Sequence, residues 1–172
     1  MKTINMRLSQ SSISNAIREV EQYRKEVEEK SSLIGQKIGE AMKDIAQSNF
    51  NSAISEVFYG GSTQQASVSV TAESNENVTL VIANGKDAVF VEFGAGVYTN
   101  TPVGSSPHPK GAELGMTIGG YGKGQGARHI WGYYNEMGEL VLTRGAPCQM
   151  PLFRAALEIV SRIPDIARGV FA

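Results

Sequence analysis

The first third of the chain has a helical repeat of apolar residues. The residues spaced at intervals of three or four are Ile13, Ile17, Val20, Val27, Ile34, Ile38, Ala41 and Ile45. This spacing places them on one face of an α-helix, with Arg24 and Ser31 interrupting the stripe. The pattern predicts helix from residue 13 to about residue 58, ended by Gly60-Gly61. One continuous helix would be about 65–70 Å long at about 1.5 Å per residue, so we expect either a break near Ser31-Ser32 or an overhanging end.

Apolar and polar residues alternate in three other places, which is typical of strands with one buried face. The first is the short run Ile4, Met6 and Leu8. The second predicts a hairpin, with Val68 and Val70 on one strand and Val78, Leu80 and Ile82 on the other, joined by the polar segment 73–77. The third predicts a hairpin formed by residues 130–134 and 140–142. A helix should follow from Pro151, a residue suited to a first helical turn, and Pro164 should end or kink it.

Between the two predicted hairpins lies an apolar run followed by a glycine-rich segment. Residues 87–93 are too few for periodicity to distinguish a strand from a short helix. Most of the 19 glycines lie between residues 94 and 145. We therefore expect residues 97–128 to form a long flexible loop, because long loops without regular elements are usually functional or disordered.

These elements predict one α+β domain over residues 1–172. An antiparallel sheet would be packed by a long N-terminal helical region and a C-terminal helix, with a long glycine-rich loop. The expected parts are a mainly helical region (1–60), a hairpin with the apolar run (65–94), the flexible loop (97–128), and a second hairpin with the C-terminal helix (129–172). A chain of 172 residues is long enough to bury a core without disulfides or metal.

Composition excludes several classes of protein. The formal charge of −1 and pI near 6.1 argue against a protein that mainly coats nucleic acid, since such proteins are usually basic. Cys148 is the only cysteine, so no internal disulfide can form and a reducing compartment is expected. Neither a signal peptide nor a membrane-spanning segment is predicted. These features favour synthesis and assembly in the cytoplasm.

No motif for catalysis, cofactor binding or metal binding is evident. Gly122-Lys123-Gly124-Gln125-Gly126 lacks the strand, the helix and the Ser or Thr that phosphate-binding loops need. His108, His129 and Cys148 lack the spacing of a zinc site. Glu92, inside the apolar run, has no acidic partner for acid–base chemistry. We interpret it either as the outward residue of a strand or as a buried acid that accepts structural hydrogen bonds from backbone N–H groups or an arginine.

The loop also carries a small excess of positive charge. Lys110, Lys123 and Arg128 outnumber Glu113 there. Such residues usually just interact with solvent. The alternative is that they face DNA in a channel through phosphate attraction, without reading sequence.

The order of these segments resembles a known family. Its features here are Ala88-Val89-Phe90-Val91-Glu92-Phe93-Gly94-Ala95-Gly96, then Ser106-Pro107-His108-Pro109, Trp131, Gly145-Ala146-Pro147 and a helix opening with Met150-Pro151-Leu152-Phe153. This is similar to the lambdoid-type neck, head–tail joining or tail-completion (putative tail-component) proteins of tailed phages and prophages. The similarity covers nearly the whole chain. Many members have threonine where this chain has Ala95.

The resemblance implies a structural virion protein that has no catalytic residues and forms a ring at the top of the tail. Phe90, Glu92, Phe93, Gly94, Ala95, Gly96, Trp131 and Pro147 are the candidate assembly residues. Expected partners are other copies of the chain, neighbouring head-connector or tail-tube proteins, and DNA passing through the channel. The particle would be assembled in the bacterial cytoplasm. Two alternatives remain: an enzyme whose glycine-rich loop closes over substrate, and a DNA-contacting accessory module.

Overall fold

The computed structural model describes residues 7–75, 78–96, 106–116 and 130–172. The helices are α1 (Gln10–Asn51), α2 (Ala88–Phe93) and α3 (Pro151–Phe171). The strands are β1 (Ile54–Phe58), β2 (Thr63–Gln65), β3 (Ser69–Ser74), β4 (Thr79–Asn84), β5 (Trp131–Tyr134) and β6 (Leu140–Gly145). The fold is α+β, as the sequence predicts. The expected strand at residues 4–8 falls mostly on residues 1–6, which lie outside the described residues.

Helix α1 is a single helix of 42 residues. Ser9 caps it, since its hydroxyl accepts the Ser12 N–H at 3.4 Å. The break predicted near Ser31-Ser32 is wrong. Serine costs little inside a helix, and ion pairs one turn apart, such as Arg24 with Glu28, support the preceding turns. The alternative expectation, an overhanging end, is confirmed, because nearly all residues from 10 to 25 are exposed.

The strands form two antiparallel sheets. One has the order β2-β1-β6-β5, and the other is the β3–β4 hairpin. Both predicted hairpins are confirmed, with Val70 opposite Ala83 and Tyr133 opposite Val141. The predicted helix over residues 54–58 is wrong. These residues form β1 because α1 ends at Asn51 and the chain then pairs with β2 and β6.

Helix α3 lies antiparallel beside the second half of α1. The Asn49 amide donates to the Pro151 carbonyl at 3.1 Å, and the Lys30 ammonium lies 5.2 Å from the centre of the Phe171 ring. Pro151 occupies the first turn as predicted, but Pro164 does not end the helix, which continues to Phe171. Contact with α1 continues beyond the proline, where Phe171 meets Lys30.

The core lies where α1, α2, α3 and the β3–β4 hairpin meet. Its buried residues are Ala46, Phe50, Ala53, Val70, Val91 and Ala155. The hairpin approaches α1 so closely that a methyl group added at Gly39 would collide with the Thr79 side chain. Glycine at position 39 therefore permits this packing. Among the described residues, no helix combines the length and apolar character needed to cross a bilayer.

Candidate functional site

The apolar run that precedes the glycine-rich segment forms the short helix α2 (Ala88–Phe93). Val91 and Glu92 are buried, with Glu92 only 5% exposed, while half of the Phe90 surface is open to solvent. The strand alternative for residues 87–93 is therefore wrong, and so is an outward Glu92. The helical turn places this carboxylate in the interior, where an acid needs hydrogen-bonding partners.

Glu92 caps α3 from another element. Its Oε2 accepts the Leu152 N–H at 2.8 Å, and its Oε1 accepts the Phe153 N–H at 3.0 Å. The residue in the N-cap position, Met150, has φ of 55° and provides no side-chain cap. The first N–H groups of a helix carry partial positive charge, so a carboxylate there is stabilising. The structural role predicted for Glu92, accepting from backbone N–H groups, is confirmed.

His108 is the third partner of this carboxylate. Its Nε2 lies 3.1 Å from Glu92 Oε1, and its Nδ1 accepts the Lys110 N–H at 3.0 Å. Since Nδ1 accepts, the ring proton is on Nε2 and is donated to Glu92. The imidazole packs between the rings of Phe93 and Phe153, at centroid distances of 4.5 and 5.1 Å.

Sequence reasoning missed this buried role and placed His108 on a flexible loop. Its segment, residues 106–116, is folded against α2, with the Ser106 hydroxyl donating to the Phe93 carbonyl at 2.6 Å. The only signal in the sequence was that a histidine sits between two prolines. The predicted flexibility of residues 97–105 and 117–128 lies outside the described residues.

Gly94, Ala95 and Gly96 form a backbone joint after α2. Ala95 and Ala146 exchange two hydrogen bonds, at 2.9 and 3.1 Å. Gly94 and Gly96 have φ of 83° and 75°, a region that favours glycine. A methyl group at Gly96 would also lie 2.7 Å from Trp131 Nε1. The two glycines are therefore required by backbone geometry, while residue 95 contributes mainly its backbone.

The segment that holds this joint is 145–149. Gly145, with φ of 91°, lies against the Ala95 carbonyl. After Pro147, the Cys148 thiol donates to the Glu92 carbonyl at 3.1 Å, and the Gln149 N–H donates to the Val91 carbonyl at 2.9 Å. Burial, with Glu92 as a lesser cause, raises the pKa of the Cys148 thiol to about 11. The thiol is therefore protonated at neutral pH and is a poor nucleophile.

We call this set of contacts the α2–α3 joint: Glu92 to Gly96, His108, Gly145 to Gln149, and the first turn of α3. It brings Glu92, Phe93, Gly94, Ala95, Gly96 and Pro147 together from separate parts of the sequence. Trp131 approaches it at Gly96. Phe90 lies on the outer side of α2.

A cavity of about 390 Å³ lies beside the joint. Phe90, Ala95, Trp131 and Tyr133 line it together with Glu56. The Tyr133 hydroxyl donates to Glu56 at 3.0 Å. Burial and this acid raise the pKa of Tyr133. The cavity thus combines aromatic rings with an acid that is already hydrogen-bonded.

The predicted DNA-facing residues are only partly described. Lys110 is exposed and pairs with Glu113 at 2.7 Å. Lys123 and Arg128 lie outside the described residues, so a basic face remains a prediction. Within the described part of the chain, no group of three His, Cys, Asp or Glu residues is placed to hold a metal ion.

The α2–α3 joint is arranged to hold backbone in place. Both Glu92 oxygens are occupied by helix N–H groups and His108, and the one thiol is protonated.

No model of a known protein family, no curated protein and no solved structure matches this chain.

Proposed function

We propose that this protein is a structural component of the head–tail interface of a phage or prophage particle. It acts in tail completion or head–tail joining, as one subunit of a ring. Its partners are other copies of itself and the adjoining head-connector or tail-tube proteins, and DNA passes through the channel. Its place is the virion, after assembly in the bacterial cytoplasm.

One observation carries the proposal. The residues behind the family resemblance are scattered over more than sixty positions, yet they converge on the α2–α3 joint. Glu92 caps the helix that opens at Pro151, and Ala95 pairs with Ala146 beside Pro147. If these short segments resembled the family only by chance, we would not expect them to contact one another in the folded protein. This convergence supports a resemblance based on a shared fold.

The chemistry of the joint agrees with an assembly role. Its acid, thiol and imidazole are engaged in internal hydrogen bonds, an arrangement that rigidifies a scaffold. Several apolar side chains outside it remain open to solvent, including Tyr134, Leu140 and Leu142 on one face of the β5–β6 hairpin. Apolar patches of this kind often mark protein–protein contacts.

The test is to disrupt the coding sequence in the genome that carries it and to induce particle production. Electron microscopy should show DNA-filled heads and separate or aberrant tails. Supplying the wild-type gene in trans should restore complete particles, which is the control for effects on neighbouring genes. Normal particles from the disrupted genome would overturn the proposal.

A further inference from the structure

The first half of α1 extends beyond the folded body. Helix α3 accompanies α1 only from Asn49 back to about Lys30. Residues 10–25, which we call the α1 overhang, continue for about 24 Å at about 1.5 Å per residue. Nearly all residues from 10 to 25 are exposed.

The overhang carries apolar residues that nothing in the described part of the chain covers. Ile13, Ile17 and Val20 are 40–53% exposed. They belong to the same stripe as Ile34 and Ile45, which are half-buried in the body. An exposed apolar stripe on a helix of this kind is typical of a packing surface.

A second exposed apolar surface lies on α3. Ala155 and Ile159 face the core, whereas Leu157 and Val160 are 60% and 62% exposed. With Ile163 they form the outer face of α3. This face and the α1 overhang lie at different places on the molecule, so contact between them requires a second copy.

The apolar area argues against two overhangs pairing with each other. Four half-exposed side chains on each copy (Ile13, Ile17, Val20 and Tyr23) offer on the order of 700 Å² in total, below the roughly 1,200 Å² of stable interfaces. The three exposed apolar side chains of α3 offer no more area than those of a second overhang, so an overhang laid along α3 of a neighbour would also have to bury the adjoining surface of the folded body.

Charge favours the same pairing. Glu19 and Glu21 flank the stripe, and within the described part of the chain neither has a cationic partner, in contrast to the paired Glu28. On α3, Arg162 and Arg168 are paired with acids of their own helix. Arg154, one turn before Leu157, has no acidic partner among the described residues. An overhang packed on α3 would bring unpaired acids toward this arginine.

We propose that the α1 overhang packs on the outer face of α3 in a second copy of this chain. The two surfaces differ, so the contact is heterologous and each subunit uses both of its surfaces. Such contacts close into a ring or extend into a filament. The inference deepens the proposed function and rests on it for the ring.

Disulfide cross-linking tests the contact. Ile17→Cys and Leu157→Cys are made separately in a Cys148→Ser background, mixed and oxidised. The two positions are about 40 Å apart within one chain, given about 1.5 Å per residue along α1, so a bond between them must join copies. We expect dimers in the mixture and little dimer from either variant alone. Gln22→Cys, on the opposite side of α1, is the matched control and should cross-link poorly with Leu157→Cys.

The other outcomes overturn the contact. Strong cross-linking of Ile17→Cys alone would mean that overhangs pair with each other, and absence of cross-linking in the mixture would mean that the two surfaces do not meet.

A second measurement separates this inference from the proposed function. Ile17→Glu with Val20→Glu places charge on an exposed surface and should leave the far-UV circular dichroism spectrum unchanged. Light scattering should show the dissociation constant for self-association rising by about tenfold or more. Unchanged association would overturn the contact and leave the ring proposal intact. Aberrant particles after gene disruption, combined with failure of cross-linking, would likewise reject only the contact.

Discussion

Replacing Glu92 with glutamine should weaken the domain through the first turn of α3. Glutamine has the same shape but provides one acceptor oxygen, and its amino group would face an N–H donor. The oxygen should stay where it serves two partners, Phe153 N–H and His108, so the hydrogen bond to Leu152 N–H is lost. A hydrogen bond to a charged group contributes about 1.5–3 kcal/mol, and a helix cap about 0.5–2 kcal/mol. We expect the free energy of unfolding to fall by about 2–3 kcal/mol.

Urea denaturation followed by far-UV circular dichroism measures this loss. Glu136→Gln is the matched control, because Glu136 is exposed in the β5–β6 turn and should change stability by less than about 0.5 kcal/mol. Glu92→Ala removes all three hydrogen bonds and should cost about 4 kcal/mol or more, a large share of the about 5–15 kcal/mol that holds a domain folded. If Glu92→Gln unfolds at the same urea concentration as the control, Glu92 does not act as the cap of α3.

Three further predictions follow from the glycines and the cysteine. In Gly145→Ala, the new methyl group would collide with the backbone of the joint, and φ is 91°, so the free energy of unfolding should fall by more than about 3 kcal/mol. In Gly138→Ala, φ is also positive, at 77°, but the methyl group would enter open space, so the loss should be only about 1–2 kcal/mol. Gly39→Ala should lower the thermal midpoint because its methyl group would collide with the Thr79 side chain. In Gly35→Ala the methyl group would lie 3.7 Å from the Thr79 hydroxyl, an ordinary contact, so the higher helix propensity of alanine should raise the free energy of unfolding by about 0.5–1 kcal/mol. The Cys148 pKa of about 11 should slow alkylation at pH 8 about two-hundredfold relative to a free cysteine.

Each of these has a contrary outcome. If Gly145→Ala and Gly138→Ala had equal unfolding midpoints, the backbone around position 145 would be able to accommodate a methyl group without loss of stability. The same conclusion would hold for position 39 if Gly39→Ala and Gly35→Ala had equal midpoints. Rapid alkylation of the native protein at pH 8 would place Cys148 in solvent. Because its pKa is raised on folding, the thiol stabilises the fold below the unfolded pKa of about 8.5, and this contribution is lost as pH rises toward 11. A stability that increased over this range would contradict the burial of the thiol.

Local patterns predicted much of the fold. The stripe from Ile13 to Ile45 predicted α1, and alternation at Val68 to Ile82 predicted the β3–β4 hairpin. Both signals depend on neighbours in sequence, which share one helix face or one side of a strand. The boundary at residues 51–54 was missed because Ile54 to Phe58 is apolar in a helical spacing as well. Residues 54–58 form a strand because they pair with β2 and β6, and the sequence around them gives no sign of this pairing.

The joint was predicted only in part. The apolar setting of Glu92 left open an outward strand residue or a buried acid bonded to backbone N–H groups or an arginine. The partners proved to be backbone N–H groups sixty residues away. His108 was missed because its burial depends on contacts with Phe93 and Phe153, which come from two different elements. A histidine between prolines in a glycine-rich segment has no periodicity that indicates its environment.

The close approach of Gly96 and Trp131 has a consequence for chain length. The chain leaves the joint at Gly96 and returns beside it at Trp131, and His108 ties the intervening sequence to Glu92. The residues that follow position 116 therefore join two points whose positions are fixed. The entropy of closing such a loop grows only with the logarithm of its length, so doubling the length costs about 0.6 kcal/mol. A peptide inserted near residue 120 should therefore lower stability by less than the change Glu92→Gln. The free energy of unfolding should therefore depend only weakly on the number of residues that join these two points.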